Sequence, residues 1–449
     1  MINLFSFLKP APHIKSLPAE QVDAAYKKYR NQNLIGILIG YACYYLLRTN
    51  FSLAMPYLIK EGFSKTQMGL VLSALTLAYG ISKFIMGNLS DRSNPRYFIA
   101  TGLVVAVIIN LILGCTTGVV TSLVVMYALM FINGWAQGMG APPCYRTVAH
   151  WFPISGRGRI MAIWNVSHNV GAGLLGALSL LIIPIFSWHS VFYIPSLIVA
   201  LLIIVIVMIM RDTPQSVGLM PVEEYSGEYP NHNVKDQGQE QELTGKEILF
   251  KHILVNKYVW FLAMAAIFVY FLRYGVLNWA PTYLTEMKGV KLAHSGLSFV
   301  IYEGAGIIGI LLCGYMSDKW FKGRRAPVSM LCMTMVFIGL LLYWFSPSIL
   351  VSYVALFIMG MFIYGPVMLL GVQLLDMLPK KTVGTAIGLI GLFAYWGGNM
   401  AATAGFGYIV DYFGWNGGFI TLAVSCALAT FFFALTLGVK SVKKQSVSA

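Results

Sequence analysis

"GNLSDR" occupies Gly87–Arg92, and "GYMSDK" occupies Gly314–Lys319, 227 residues later. Each closes the second apolar run of its half of the chain. One six-residue echo is weak evidence, but two other landmarks keep the interval. "HNVG" ends at Gly171 and "YWGG" reaches Gly397 after 226 residues, while Arg48 and Arg273 stand 225 apart. Three landmarks from different segments agree within two residues, which argues for a duplicated unit. Duplicated membrane halves of this kind are related by an axis along the membrane normal, with a substrate site at their interface near the midplane.

The runs around these echoes set the class. Of 449 residues, 58% are hydrophobic and only 11% charged, whereas a soluble domain carries about a quarter charged residues. Each run is long enough for a hydrocarbon core of about 30 Å, and a spanning segment must satisfy its own backbone, so the spans are helices. The pattern predicts an all-α polytopic membrane protein with twelve transmembrane helices. They fall at about 34–58, 66–89, 97–117, 121–149, 158–185, 190–210, 257–284, 294–316, 327–346, 349–377, 384–409 and 415–438. The longest polar segment, 211–256, carries eight of the seventeen acidic residues and reads as a solvated linker. The domains expected are a six-helix half at 1–210, the linker at 211–256 and a second six-helix half at 257–449.

The net charge of +14 reflects topology and gives no argument for nucleic acid. Basic residues cluster at Lys27, Lys28 and Arg30, at Arg92 and Arg96, at Arg157 and Arg159, at Lys319, Lys322, Arg324 and Arg325, and at Lys440, Lys443 and Lys444. The alternate loops are short and nearly neutral, so both termini are expected in the cytoplasm. The six cysteines have no metal-ligand spacing, and neither a metal nor another cofactor is implied. The N-terminus lacks a cleavable signal pattern.

Arg48 is the only full charge among the 25 residues Leu34–Leu58. A guanidinium stays charged at any physiological pH. It lies about 21 Å along a helix rising 1.5 Å per residue, and Arg273 lies at similar depth in the seventh span. Neither span contains an acidic residue. A buried cation costs several kcal/mol. A phosphate dianion that accepts bidentate hydrogen bonds from both guanidinium forks makes sense of the pair. Tyr41 and Tyr45 share the face of Arg48 at helical spacing, and Tyr270 stands three residues before Arg273. His168, deep in the fifth span with Trp164 and Asn165 on its face, is a candidate phosphate donor. Lys83 either raises the potential of a cavity or reaches toward the cytoplasmic end. Glu303, the one acid clearly within a span, either pairs with a cavity cation or binds a proton, and the several arginines and lysines nearby favour the pairing. Asp91, Arg92, Asp318 and Lys319 open the echoed loops and read as gating or structural residues. "GAGLLG" at Gly171–Gly176 matches a dinucleotide fingerprint only as a string; inside a span its glycines read as close helix packing.

The echoed loops resemble the signature loop of the major facilitator superfamily. Within it the chain is similar to the bacterial organophosphate:phosphate antiporters, above all their glycerol-3-phosphate branch. The stretches that carry the likeness are "KPAPH", "NFSLAMPYL", "SKFIMGNLSDRSNPR", "WNVSHNVG", "RDTPQSVGL", "VYFLRYG", "LLCGYMSDK", "IYGPVML" and "DYFGWNGGF", from Lys9 to Phe419. The resemblance implies that Arg48 and Arg273 are phosphate ligands, that His168 contacts substrate, and that Tyr79, Tyr364 and Tyr395 line the cavity. It implies exchange of external glycerol 3-phosphate for internal inorganic phosphate by a monomer in contact with membrane lipid in a bacterial inner membrane. Small phosphonates such as fosfomycin are implied as further substrates. A hexose-phosphate antiporter and a non-transporting sugar-phosphate sensor of the same fold are the alternatives. A phosphatase is disfavoured because no nucleophile and acid pair accompanies the arginines. Hexose-phosphate antiporters of the family carry an acid and a lysine in the eleventh span, whereas Thr385–Gly398 here has no charge.

Overall fold

The computed structural model describes residues 6–115, 122–227, 250, 253–378 and 380–438. The linker stretch 228–249, the basic cluster Lys440, Lys443 and Lys444, and the side chains of Asp91 and Thr385 lie outside the described residues. The described elements are helical. In the first half they are α1 (Ala19–Leu46), α2 (Asn50–Lys60), α3 (Lys65–Asp91), α4 (Pro95–Cys115), α5 (Leu123–Gln137), α6 (Ala141–Trp151), α7 (Ile154–Phe186) and α8 (Ser190–Ile209). After the short α9 (Val222–Ser226) come α10 (Lys257–Met287), α11 (Leu297–Tyr315), α12 (Arg325–Phe345), α13 (Ile349–Met377), α14 (Lys380–Leu392) and α15 (Phe406–Ala434).

Polar residues at the ends of the apolar runs fix where helices begin. Ser122, Asn256 and Ser348 precede α5, α10 and α13, and each side chain accepts a hydrogen bond from a backbone N–H of the first turn. Among the described residues, ten segments are long and apolar enough to cross a membrane. The twelve expected spans agree with this once two features are recognised. The stretch Ala386–Ala434 holds two spans, parted where Gly414 takes φ 65°, a left-handed conformation that suits glycine. The second span is α3, whose 27 residues are long enough to cross although it is not among the ten.

The first span departs from the expected continuous helix. It breaks at residues 47–49, between α1 and α2, so Arg48 sits at an interruption. The eleventh span also departs from regular geometry: Phe393–Asn399 and Ala401–Gly405 widen into π-helical turns. π-Helical turns inside α-helices are frequent at functional sites.

The chain forms two compact units. One holds the described residues up to Phe51, Ala78–Leu175 and those from Ile185 into the linker; the other holds Ser52–Leu77, Gly176–Pro184 and the described residues after the linker. Hence α3 and α7 each contribute to both.

In the first unit, Asp212 is a buried hub. It pairs with Arg146 at 2.8 Å and accepts from the N–H of Ala11 at 2.8 Å, while its carbonyl accepts from Trp151 Nε1 at 2.9 Å. This brings "KPAPH" and "RDTPQSVGL" together. In the second unit, the Asp411 carboxylate accepts from the N–H groups of Lys65 and Thr66 at the start of α3, at 3.2 and 2.6 Å. Lys65 Nζ lies 3.2 Å from Glu286, which also accepts from Trp415 Nε1 at 2.9 Å.

Candidate functional site

The sequence-predicted residues gather into two clusters, one in each unit. In the first unit Arg48 is 6% exposed. Its Cζ lies 4.3 Å from the ring centroid of Tyr79 and 5.2 Å from that of Tyr45. Ring contacts continue outward: Tyr45 to His168 at 5.2 Å, Tyr41 to Tyr45 at 5.5 Å and Tyr41 to Trp164 at 4.4 Å. Tyr41, Tyr45, Tyr79, Trp164 and His168 therefore form one aromatic array with Arg48 on its faces. Asn165 is half-buried beside Trp164 in sequence, and the exposed Lys83 has its Nζ 5.8 Å from the Tyr79 ring. Cation–π contacts of this kind are worth about 0.5–2 kcal/mol, the larger value when desolvated.

Three residues hold this region in a way the sequence reading did not identify. At the break, carbonyls of the last turn of α1 and of its cap residue Leu47 take side-chain donors. Asn110 Nδ2 and Asn133 Nδ2 donate to the Leu47 carbonyl at 3.2 and 3.1 Å, and Gln137 Nε2 donates to that of Tyr44 at 3.2 Å. All three amides are at most 3% exposed. Their signal was present as buried-type amides inside apolar runs, where a polar group needs a partner.

In the second unit Arg273 is 4% exposed, and α10 runs without interruption around it. Its Cζ lies 4.4 Å from the Tyr364 ring, 5.0 Å from Tyr274 and 6.0 Å from Tyr270. Arg273 Nη2 donates to the Tyr364 hydroxyl at 3.3 Å, and that hydroxyl donates to Glu303 Oε2 at 2.6 Å. The Tyr302 hydroxyl donates to the Arg273 carbonyl at 3.4 Å. Glu303 is fully buried and connects to Arg273 through the Tyr364 phenol. Tyr395 sits in the first π-helical stretch, 5.4 Å ring to ring from Tyr270. Gly398 is required there by close approach, since a Cβ would run into the Ile267 carbonyl.

The loop residues lie apart from these contacts. Arg92 and Lys319 are exposed. Asp318, in the π-helical turn Met316–Trp320 that follows α11, pairs with Arg325 at 2.5 Å, and Arg325 also pairs with Asp376 at 3.0 Å, joining that turn to α12 and α13. A cavity of about 400 Å³ is lined by Lys60, Glu286 and Lys291 among others and contains none of the predicted ligands. Among the described residues no group of three or more His, Cys, Asp or Glu side chains is placed to hold a metal ion.

Two buried arginines, each wrapped in tyrosines on membrane-length helices, frame the comparison with known proteins. The model of the Major Facilitator Superfamily matches residues 37–402. The chain belongs to this superfamily. It is 55% identical over 439 residues to the glycerol-3-phosphate transporter of Bacillus subtilis (strain 168), covering 97% of this chain and 98% of the relative. It is 41% identical to the glycerol-3-phosphate transporter of Haemophilus influenzae, covering 95% of each. Among solved structures, an inward-facing, unoccupied bacterial homolog of the human lysosomal transporter Spinster superposes with a TM-score of 0.71 at 15% identity, over 92% of this chain and 97% of that one. At that identity the likeness concerns the fold. As a major facilitator the protein is a multi-pass membrane transporter and not an enzyme.

Proposed function

We propose that the protein exchanges external glycerol 3-phosphate for internal inorganic phosphate, with both termini in the cytoplasm and the phosphate group held by Arg48 and Arg273. The observation that carries the proposal is the pair of arginines at matching positions of a duplicated chain, each buried in its own aromatic cluster. The names of the two relatives support the substrate.

The chemistry follows from the ligands. Two guanidinium forks offer planar, bidentate donation to a phosphate dianion. His168, Lys83, Asn165 and the hydroxyls of Tyr41, Tyr45, Tyr79, Tyr270, Tyr364 and Tyr395 supply further donors, and Trp164 supplies a ring wall. In this reading the halves at 1–210 and 257–449 rock about the bound anion. The anion binds better when both arginines reach it, and that differential affinity drives the conformational change. The uncharged stretch Thr385–Gly398 suits the short stem of glycerol 3-phosphate. A hexose would bring several hydroxyls to that wall, each costing roughly 1–3 kcal/mol if buried without a partner.

The test is exchange of labelled phosphate in reconstituted vesicles, inhibited by glycerol 3-phosphate or glucose 6-phosphate at equal concentration. Glycerol 3-phosphate is expected to inhibit far better, and a small phosphonate such as fosfomycin to inhibit as well. Equal or stronger inhibition by glucose 6-phosphate overturns the substrate. Tight phosphate binding without exchange overturns transport in favour of a sensor.

A further inference from the structure

We infer that Asn110 and Asn133 are positioning residues for Arg48: their two amides hold the first span open at residues 47–49 and so fix where the guanidinium points. The inference rests on the reading of Arg48 as a phosphate ligand, but it stands on separate observations.

No glycine or proline causes the break, and its one local contribution is the Thr49 hydroxyl, which donates to the Tyr45 carbonyl at 3.3 Å. Leu47, Arg48 and Thr49 include neither glycine nor proline. Pro56 lies within α2, and its missing N–H and its ring act on the carbonyl four residues earlier, that of Ser52. Helix breaks without Pro or Gly arise where a side chain or water inserts into the hydrogen-bond ladder. Two side chains from other helices do so here. In an uninterrupted helix the Leu47 carbonyl would accept from the N–H of Phe51. It accepts instead from Asn110 Nδ2 at 3.2 Å and from Asn133 Nδ2 at 3.1 Å. A carbonyl has two lone pairs, so both are engaged by amides from two different helices, α4 and α5.

The surroundings make the arrangement firm. Asn110 Nδ2 also donates to the Ala106 carbonyl of its own helix at 2.9 Å. Asn133 is 1% exposed and packs at i, i+4 with Gln137, whose amide donates to the Tyr44 carbonyl. Beyond the break, Asn50 Nδ2 donates to the Val191 carbonyl at 2.6 Å, which pins the start of α2. Arg48 lies between these two anchored points. Its N–H makes a tightened bond to the Tyr45 carbonyl at 3.3 Å, and its guanidinium rests on Tyr79 and Tyr45. If the amides are removed, the Leu47 carbonyl recovers a partner most directly from Phe51. The helix then closes through 47–49, and Arg48 turns with it away from its present contacts.

The experiment uses the full chain in lipid, with residues 47–49 labelled for solid-state NMR, and phosphate binding measured by calorimetry. Wild type is expected to give non-helical Cα shifts at Leu47–Thr49. Asn110→Leu/Asn133→Leu, which keeps side-chain size and removes both donors, is expected to give helical shifts there and a phosphate Kd raised about tenfold. Unchanged shifts overturn the clamp whatever the binding does. Helical shifts with unchanged affinity overturn the positioning role. Arg48→Lys measured alongside tests the phosphate reading by itself: if its affinity equals wild type, that reading fails while the shifts still decide the clamp. Should the double variant not fold, Asn133→Leu and Asn110→Ser carry the same comparison singly, because each alters one donor.

Discussion

Arg48 and Arg273 occupy matching positions of a duplicated chain, yet their surroundings differ. Arg48 sits at a helix break on the faces of Tyr45 and Tyr79, with the neighbouring carbonyl bonded by two asparagines. Arg273 sits in an unbroken helix and is tied through the Tyr364 hydroxyl to the buried carboxylate of Glu303. The first six spans as read from the sequence contain no acidic residue, whereas the eighth contains Glu303. The buried charge thus rests on polarisable ring faces in both halves, and in the second a hydrogen-bonded acid is added. The second arrangement is directional: it depends on a phenol standing between donor and acceptor at fixed distances. The first tolerates more movement, because a ring attracts a cation over its whole face.

Substitutions of the arginines themselves should have the largest effect. Arg48→Lys and Arg273→Lys each keep the charge and lose the planar fork. Each is expected to weaken phosphate binding at least tenfold, about 1.4 kcal/mol, by calorimetry. The loss is expected to be greater at Arg273, where the fork also engages Tyr364. Equal losses would mean that the bound anion dominates both neighbourhoods and the contrast is incidental to binding.

Next in size is Tyr364→Phe. It keeps the ring under Arg273 and removes the hydroxyl that links it to Glu303. Deleting a hydrogen bond to a buried carboxylate should cost about 1–3 kcal/mol of stability, seen as earlier unfolding in denaturant. No change in stability would show that the Glu303–Tyr364–Arg273 chain is not what holds Arg273.

Tyr79→Leu probes the other half. It removes the ring face 4.3 Å from the Arg48 guanidinium, a contact worth about 0.5–2 kcal/mol. The expected destabilisation is smaller than for Tyr364→Phe in the same assay. A larger loss would reverse the ranking of the two neighbourhoods.

The smallest effect is expected at Lys65→Gln. The Lys65–Glu286 pair lies in the same unit as Arg273, but its side chains are 18% and 30% exposed. Exposed pairs contribute about 0–1 kcal/mol and weaken with salt. The difference from wild type should vanish in high salt, whereas the Tyr364→Phe difference should persist.

Much of this contrast was legible in the sequence. The duplication, the expected depth of the two arginines and their neighbours Tyr41, Tyr45 and Tyr270 were read from spacing, whereas Tyr79, Tyr364 and Tyr395 were named only through the family resemblance. Glu303 stood out as an acid inside a span, and its pairing with a cation was expected. The intermediary, Tyr364, is a different matter. It lies 61 residues from Glu303 and 91 from Arg273, and nothing in 25 tyrosines marks one of them as the bridge. The asparagines were equally silent. Asn110 and Asn133 are visible as polar residues in apolar runs, but their target is a carbonyl more than sixty positions away.

By itself the sequence determined the all-helical membrane fold, since only a chain with internally satisfied backbone can cross hydrocarbon in runs of this length. It also determined which two cations lie deep in it. Only the tertiary structure decided that the first span breaks beside Arg48. The residues 47–49 are compatible with a continuous helix, and the competing hydrogen bonds come from α4 and α5. A carbonyl takes the partners that reach it, and which partners reach it is a property of packing.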